Sequence, residues 1–196
     1  MIEPSLGGSP LILVHALRIM KTRLLLTIFL LLLPAISFAK APIRTIEGTV
    51  SKISDGYTVQ VTDNLGSKVK VRFYGIDCPE TEKSNKRTGH ISKAGQPYGE
   101  SAFEALKGKL QHQRVRLDVM DIDRYGRTVC IVWLGNRNIN REMVSEGMAW
   151  AYKKYLDRPH ASEYILAEEK ARRHHLGLWQ QSNPQPPWEF RKSQRN

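Results

Sequence analysis

Between residues 43 and 76 apolar and polar side chains alternate, in Gly48-Thr49-Val50-Ser51-Lys52-Ile53, in Thr58-Val59-Gln60-Val61 and in Lys68-Val69-Lys70-Val71-Arg72-Phe73. Successive side chains of a strand leave opposite faces, so this period predicts half-buried strands. Asp55-Gly56 and Asp63-Asn64-Leu65-Gly66 interrupt the runs with turn-forming residues, and the region reads as a three-stranded meander. At residues 98–111 the period changes to that of a helix: Ala102, Phe103, Leu106 and Leu110 make one stripe, with lysines and Glu104 opposite. Strand patterns return at residues 114–120 and 127–134, the second closed by Gly135-Asn136. Residues 139–146 and 162–176 predict a short and a longer helix, each ended by a glycine, Gly147 and Gly177. Residues 82–96 are polar and without period, which predicts a loop, and residues 183–188 (NPQPPW) read as either an ordered cap or a loose end.

Strands, helix, strands and helices in this order predict an α+β fold: a five-stranded barrel with about three helices, the first inserted after the third strand. An open α+β sheet satisfies the same periodicity. At 196 residues the chain suits one domain. Its leading part differs from the rest, because residues 24–38 (LLLTIFLLLLPAISF) are nearly all apolar, follow Lys21 and Arg23, and run into Ala39. A charged start, a short apolar run and small residues at its end make residues 1–39 a signal peptide by pattern, with Met20 an alternative initiator. The run is shorter than the roughly 20 apolar residues of a spanning helix. Cleavage after Ala39 would leave residues 40–196 as a periplasmic or extracellular domain without stable membrane association, expected to be a monomer.

Charge narrows the partners. The chain carries +11 at neutral pH, and only Glu3, Arg18, Lys21 and Arg23 of the charged residues fall in the leading segment. The excess therefore belongs to the folded part, where it attracts polyanions: DNA or RNA first, anionic envelope polymers second. Two cysteines, Cys78 and Cys130, exclude a four-cysteine metal site, and in an oxidising compartment they allow either one disulfide or two separate thiols.

Chemistry concentrates at predicted strand ends: Asp55-Gly56-Tyr57-Thr58, residues 72–81 (RFYGIDCPET), and Asp123-Arg124-Tyr125-Gly126-Arg127. Hydrolysis of a phosphodiester calls for a guanidinium fork on the phosphate oxygens, a carboxylate for a hard cation, and a proton acceptor beside the attacking water. Arg72 and Arg127 suit the first role, Asp77 the second and Glu80 the third. Singly, each has a plainer reading: surface arginine, turn aspartate before Pro79, solvated glutamate. Strand alternation places Arg72 close to the loop that carries both acids, and this joint arrangement favours the chemical reading.

Residues 72–81 and 123–127 closely resemble the two signature segments of the staphylococcal nuclease, or thermonuclease, family. Asp55-Gly56-Tyr57-Thr58-Val59 resembles the family's DGDTV turn, Tyr98-Gly99 its first helix start, and Leu176-Gly177-Leu178-Trp179 the end of its last helix. The resemblance covers residues 43–190 and implies an OB-fold nuclease that uses calcium on Asp77 and the Cys78 backbone carbonyl. Asp55 is a further candidate ligand. It implies Glu80 as general base, Arg72 and Arg127 on the scissile phosphate, Arg124 and Tyr125 on a neighbouring phosphate, and Tyr152 and Tyr155 beside the nucleotide. Family members cut DNA and RNA and leave 3′-phosphates. The chain departs from the pattern at Tyr57, which stands where the family has a calcium-ligating aspartate. A metal-dependent nuclease is thus the leading expectation, a non-catalytic nucleic-acid-binding OB module the alternative, and a basic envelope protein a third reading that leaves the arginine and carboxylate residues unexplained.

Overall fold

The computed structural model describes residues 18–21, 23, 40–85, 87–157 and 160–195, so the predicted signal peptide and its cleavage point lie almost wholly outside the described residues. The chain divides into two compact units, Met1–Ser37 and Phe38–Asn196, and everything below concerns the second. Among the described residues no helix is long and apolar enough to cross a membrane.

The alternating segments form the barrel. Strand β1 (Arg44–Asp55) pairs antiparallel with β2 (Thr58–Asp63), which pairs with β3 (Lys68–Phe73). On its other edge β1 pairs with β7 (Arg114–Ile122), itself paired with β8 (Thr128–Leu134). A parallel pairing of β3 with β8, register Arg72 with Val129, closes the ring, so an open sheet is excluded. Register shifts in β1 after Val50 and Ile53 bend that strand so that it serves both neighbours. One face of each strand fills the barrel: Val50, Val59, Val61, Val71, Leu117 and Val132 are all buried.

The helical stripe read from the sequence becomes α1 (Gly99–Leu110), whose Ala102, Leu106 and Leu110 are fully buried. Two-residue strands follow the barrel: β4 (Ile76–Asp77) after β3, and β9 (Arg137–Asn138) after β8. Helix α2 (Ile139–Ser145) is capped by the Asn138 side chain, which accepts from the Arg141 amide. Helix α3 (His160–Arg173) buries Tyr164. Within α2, fully buried Asn140 accepts from the Val132 amide and donates to the Tyr74 and Cys130 carbonyls. One side chain thereby fastens the helix to β8 and to the turn that leaves β3.

Two local features differ from the sequence reading. Within residues 82–96 the chain pairs β5 (Lys83–Ser84) with β6 (Ile91–Lys93), a hairpin of exposed residues with no apolar alternation to betray it. Residues 183–188 lead into a further helix, α4 (Pro187–Ser193), with Pro187 at its start, where a missing amide costs nothing. The unit thus has four α-helices among the described residues rather than three.

The cysteines do not form a disulfide. Both are buried and free: the Cys78 thiol donates to the Gly56 carbonyl at 3.1 Å, and the Cys130 thiol faces the Thr128 carbonyl. Each sulfur is committed to a different neighbour, and burial holds both thiols protonated, pushing that of Cys130 up to about 12.

Candidate active site

The first signature segment, residues 72–81, leaves the barrel at the end of β3. Gly75, at φ 71°, makes the turn into β4. Strand β4 pairs with β10 (Trp150–Ala151), register Asp77 with Trp150. That pairing fixes Asp77 with none of its surface exposed, and Glu80 follows at 4 %. The backbone of Glu80 is held from two sides: its amide donates to the Gln96 side chain, and its carbonyl accepts from the Gln96 amide. Gly99, at the start of α1, lies so close to the Glu80 carbonyl that any Cβ there would collide with it. The helix start therefore positions the acid loop.

Buried carboxylates need partners, and the structure supplies three cations. Arg72 reaches Asp77 Oδ1 at 3.5 Å. Lys93, from β6, pairs with Glu80 Oε2. Arg191, from α4, grips Asp77 with both terminal nitrogens, at 3.2 and 2.6 Å, and the nearer of these to Glu80 also meets its Oε1 at 2.7 Å. Two acids face three cations, so the cluster has one positive charge in excess, a setting suited to an anion.

The electrostatics separate the two acids. Burial pushes the Glu80 carboxyl up, but hydrogen bonds and charge from Arg191 and Lys93 outweigh it and hold the group below its ordinary value. For Asp77 burial wins over Arg191 and Arg72, and its carboxyl sits above the ordinary value. Tyr57 lies buried beside them with the Arg72 guanidinium 4.3 Å above its ring centre. Burial, followed by the Asp77 charge, drives its hydroxyl further from ionisation, so the residue offers a neutral oxygen.

Arg127 belongs to another group. Its guanidinium pairs with Asp123 at 2.7 Å, and the Asp123 carboxylate also accepts from the Tyr125 and Arg127 amides, which closes the turn between β7 and β8. Tyr125, 67 % exposed, lies beneath the guanidinium groups of both Arg124 and Arg127. The parallel register sets Arg127 two residues before Val129, the partner of Arg72, in the turn that leads into β8. Among the described residues, the cations on Asp77 and Glu80 are Arg72, Lys93 and Arg191, and Arg127 is not one of them. Tyr152 and Tyr155 meet edge to face at 4.9 Å, at the 3-10 turn that follows β10.

Asp123 yields a pH prediction. Burial raises its carboxyl, but the Arg127 amide and guanidinium and the Tyr125 amide together lower it. A group depressed in the fold contributes stability above its ordinary value, here 3.8, and loses it as pH falls further. Asp123→Ala is expected to cost about 1–2 kcal/mol at pH 7. Denaturant melts at neutral pH and near pH 3 check this: the gap from wild type should narrow in acid.

Residues 70–181 match the family described as "Staphylococcal nuclease homologue". The chain belongs to the staphylococcal nuclease family. It is 34 % identical over 173 residues to an "Uncharacterized endonuclease" of Haemophilus influenzae, covering 88 % of this chain and 87 % of the relative. It is 36 % identical over 158 residues to a "Micrococcal nuclease" of Shigella flexneri, covering 76 % and 82 %. A plant relative, "Staphylococcal-like nuclease CAN1" of Arabidopsis thaliana, is 32 % identical over 146 residues, covering 73 % and 40 %.

In this staphylococcal nuclease family member the sequence pattern points to Arg72, Asp77 and Glu80, and the structure adds Arg191 and Lys93 to the same cluster. The family match ends at residue 181, before α4 begins. Pro187 followed by Glu189 in the first turn and by Arg191 and Lys192 in the last is a legible helix signature. Where Arg191 would point was not legible, because its carboxylates lie 111 and 114 residues earlier.

The residues do not fit a calcium ion as they stand. Calcium takes six to eight oxygen ligands, roughly. Asp77 and Glu80 already meet nitrogen donors on all four carboxylate oxygens. Tyr57 is neutral, and Asp55 turns one oxygen onto the Tyr57 amide at 3.1 Å. Among the described residues no three acidic, histidine or cysteine groups are placed to hold a metal.

Proposed function

We propose that this chain is a secreted nuclease that hydrolyses phosphodiester bonds of DNA or RNA. The observation that carries the reading is the junction of Arg72, Asp77 and Glu80 where β3 leaves the barrel, in a cluster with net positive charge. Arg72 would hold the scissile phosphate through two donors and stabilise the charge that builds on its oxygens. Glu80 would take the proton of the attacking water as its oxygen bonds to phosphorus and the bond to the leaving sugar oxygen breaks. One of its cation contacts must open first, and Lys93, 42 % exposed on a short hairpin, is the looser. Arg127 would add a second guanidinium from the β7–β8 turn, with Arg124 and Tyr125 on the next phosphate and Tyr152 and Tyr155 beside the base. The resemblance implies calcium. Because the carboxylates fit no such ion as arranged, the roles above use only the chain's own groups. The leader read in residues 1–39 supports export.

The test is incubation of the purified protein with plasmid and single-stranded DNA and with RNA, in calcium and in chelator. Nicking or shortening is expected, with affinity for a cleavage-blocked oligonucleotide falling steeply as salt rises. Intact substrate under every condition would overturn the enzyme reading. Tyr57 and the saturated carboxylates favour one alternative, a module that binds nucleic acid without cutting it. That module would show the salt dependence alone, unchanged by Glu80→Gln.

A further inference from the structure

The cation site of Asp77 and Glu80 carries its own occupant. We infer that the Arg191 guanidinium is the resident counter-ion of this acid pair, standing where the family resemblance puts calcium, so that Arg191 and a divalent metal compete for the same oxygens. The inference goes beyond the nuclease reading and concerns what the acids bind.

Arg191 uses both oxygens of Asp77 and one of Glu80, while Lys93 takes the remaining one. A hard cation on Asp77 needs lone pairs that the Arg191 fork already holds, and an ion brought to them would face the repulsion of both the Arg191 and the Arg72 guanidinium. Arg191 is the better partner for this particular site, because Tyr57 contributes no negative charge and two carboxylates suffice for one fork. Asp77 has no surface exposed, and Arg72 reaches only its Oδ1, at 3.5 Å, so the buried carboxylate needs a closer counter-charge, which the Arg191 fork supplies without importing an ion.

The fold also aims Arg191 deliberately. Its helix begins at Pro187, and Trp188 stacks flat on Tyr152, 5.0 Å between ring centres with a 5° interplanar angle, while its edge meets Trp150 at 5.6 Å. Trp150 packs in turn on Trp179 at 4.4 Å. Phe190 lines a small cavity with Pro79, Pro97 and Leu178, and the Gln185 carbonyl accepts from Gln96, the residue that holds the Glu80 backbone. Anchors on both sides of the guanidinium fix α4 against the same loop that carries the acids. The helix touches Tyr152, one of the tyrosines assigned to the nucleotide, as well as the acid pair.

The experiment measures calcium binding and melting rather than cleavage, so its failure and the failure of the nuclease reading are distinguishable. Purified wild type, Arg191→Gln and Trp188→Ala are titrated with calcium by calorimetry and melted in chelator and in millimolar calcium. Wild type is expected to melt at one temperature in both. Arg191→Gln is expected to melt lower in chelator, to recover in calcium, and to bind the ion about tenfold or more tighter than wild type, since freeing anionic ligands tunes calcium affinity on that scale. Trp188→Ala, which only loosens the helix, should move the same way by less. Equal calcium affinity in wild type and Arg191→Gln, whether measurable or absent in both, would overturn the inference. Should Arg191→Gln fail to fold, Arg191→Lys and Trp188→Ala are compared with wild type instead, and equal affinity in all three is the refuting result.

Discussion

Replacing Glu80 by glutamine is expected to slow phosphodiester cleavage by about 10²–10⁴-fold, the range over which a positioned base assists a proton transfer. The amide keeps the shape and can still accept from Lys93 or Arg191, yet it cannot take a proton from water. Glu80 is almost fully buried and its backbone is clamped by Gln96 and packed on Gly99, so the variant should keep the loop in place. Substrate affinity should change little or rise, because a negative charge is removed from a site that faces phosphate. Single-turnover cleavage of a labelled oligonucleotide, with binding followed separately on a non-hydrolysable analogue, checks both parts. A rate within a factor of about three of wild type would remove Glu80 from the chemistry. The structure adds a condition: Glu80 is fully ionised at neutral pH but engaged by two cations, so the rate is governed by how readily Lys93 lets go as well as by basicity.

The largest expected effect on stability is at Asn140. Asn140→Ala removes three interior hydrogen bonds, one accepted from the Val132 amide and two donated to the Tyr74 and Cys130 carbonyls. The Cys130 carbonyl keeps the Tyr74 amide as a partner. The Tyr74 carbonyl and the Val132 amide lose an interior one. Buried polar groups deprived of a partner cost about 1–3 kcal/mol each, so for the two a loss of about 2–6 kcal/mol is expected. For a domain of this size that lowers the melting temperature by roughly 10 °C. Thermal and denaturant unfolding measure it, and a loss under about 1 kcal/mol would show that water or local repacking satisfies the orphaned groups. Because Asn140 ties α2 to the turn before Asp77, activity should fall along with stability rather than independently.

How much of this could be read from the sequence depended on whether the signal was local. Alternation in β1, β2 and β3 and the stripe of α1 are local, and the strands and helix formed where the pattern put them. The barrel closes through the parallel contact of β3 with β8, a pairing that periodicity leaves open and that the resemblance supplied. Arg72, Asp77 and Glu80 lie within nine residues of one another; Arg72 and Asp77 pair directly, while Glu80 is linked to Asp77 through Arg191, which their spacing does not show. The pairing of Arg127 with Asp123 is equally local but not legible, since a sequence shows which charges are present and not which neighbour each one meets. A disulfide between Cys78 and Cys130 was left open for the same reason, and the sulfurs turned out to face different carbonyls. Lys93 and Arg191 arrive from elements with weak patterns, a two-stranded hairpin and a seven-residue helix. Only the three-dimensional path of the chain brings them to the acids.

A ribosome making this protein completes every barrel strand well before it reaches Arg191. During that interval the nascent domain can collapse around Asp77 and Glu80 while their guanidinium partner is still unsynthesised. Proteolytic clipping within α4 would return a mature molecule to the same condition, with its barrel intact and the two acids left to Arg72 and Lys93 alone. Limited digestion that trims this helix should therefore be felt first at the acid pair and only later in the strands.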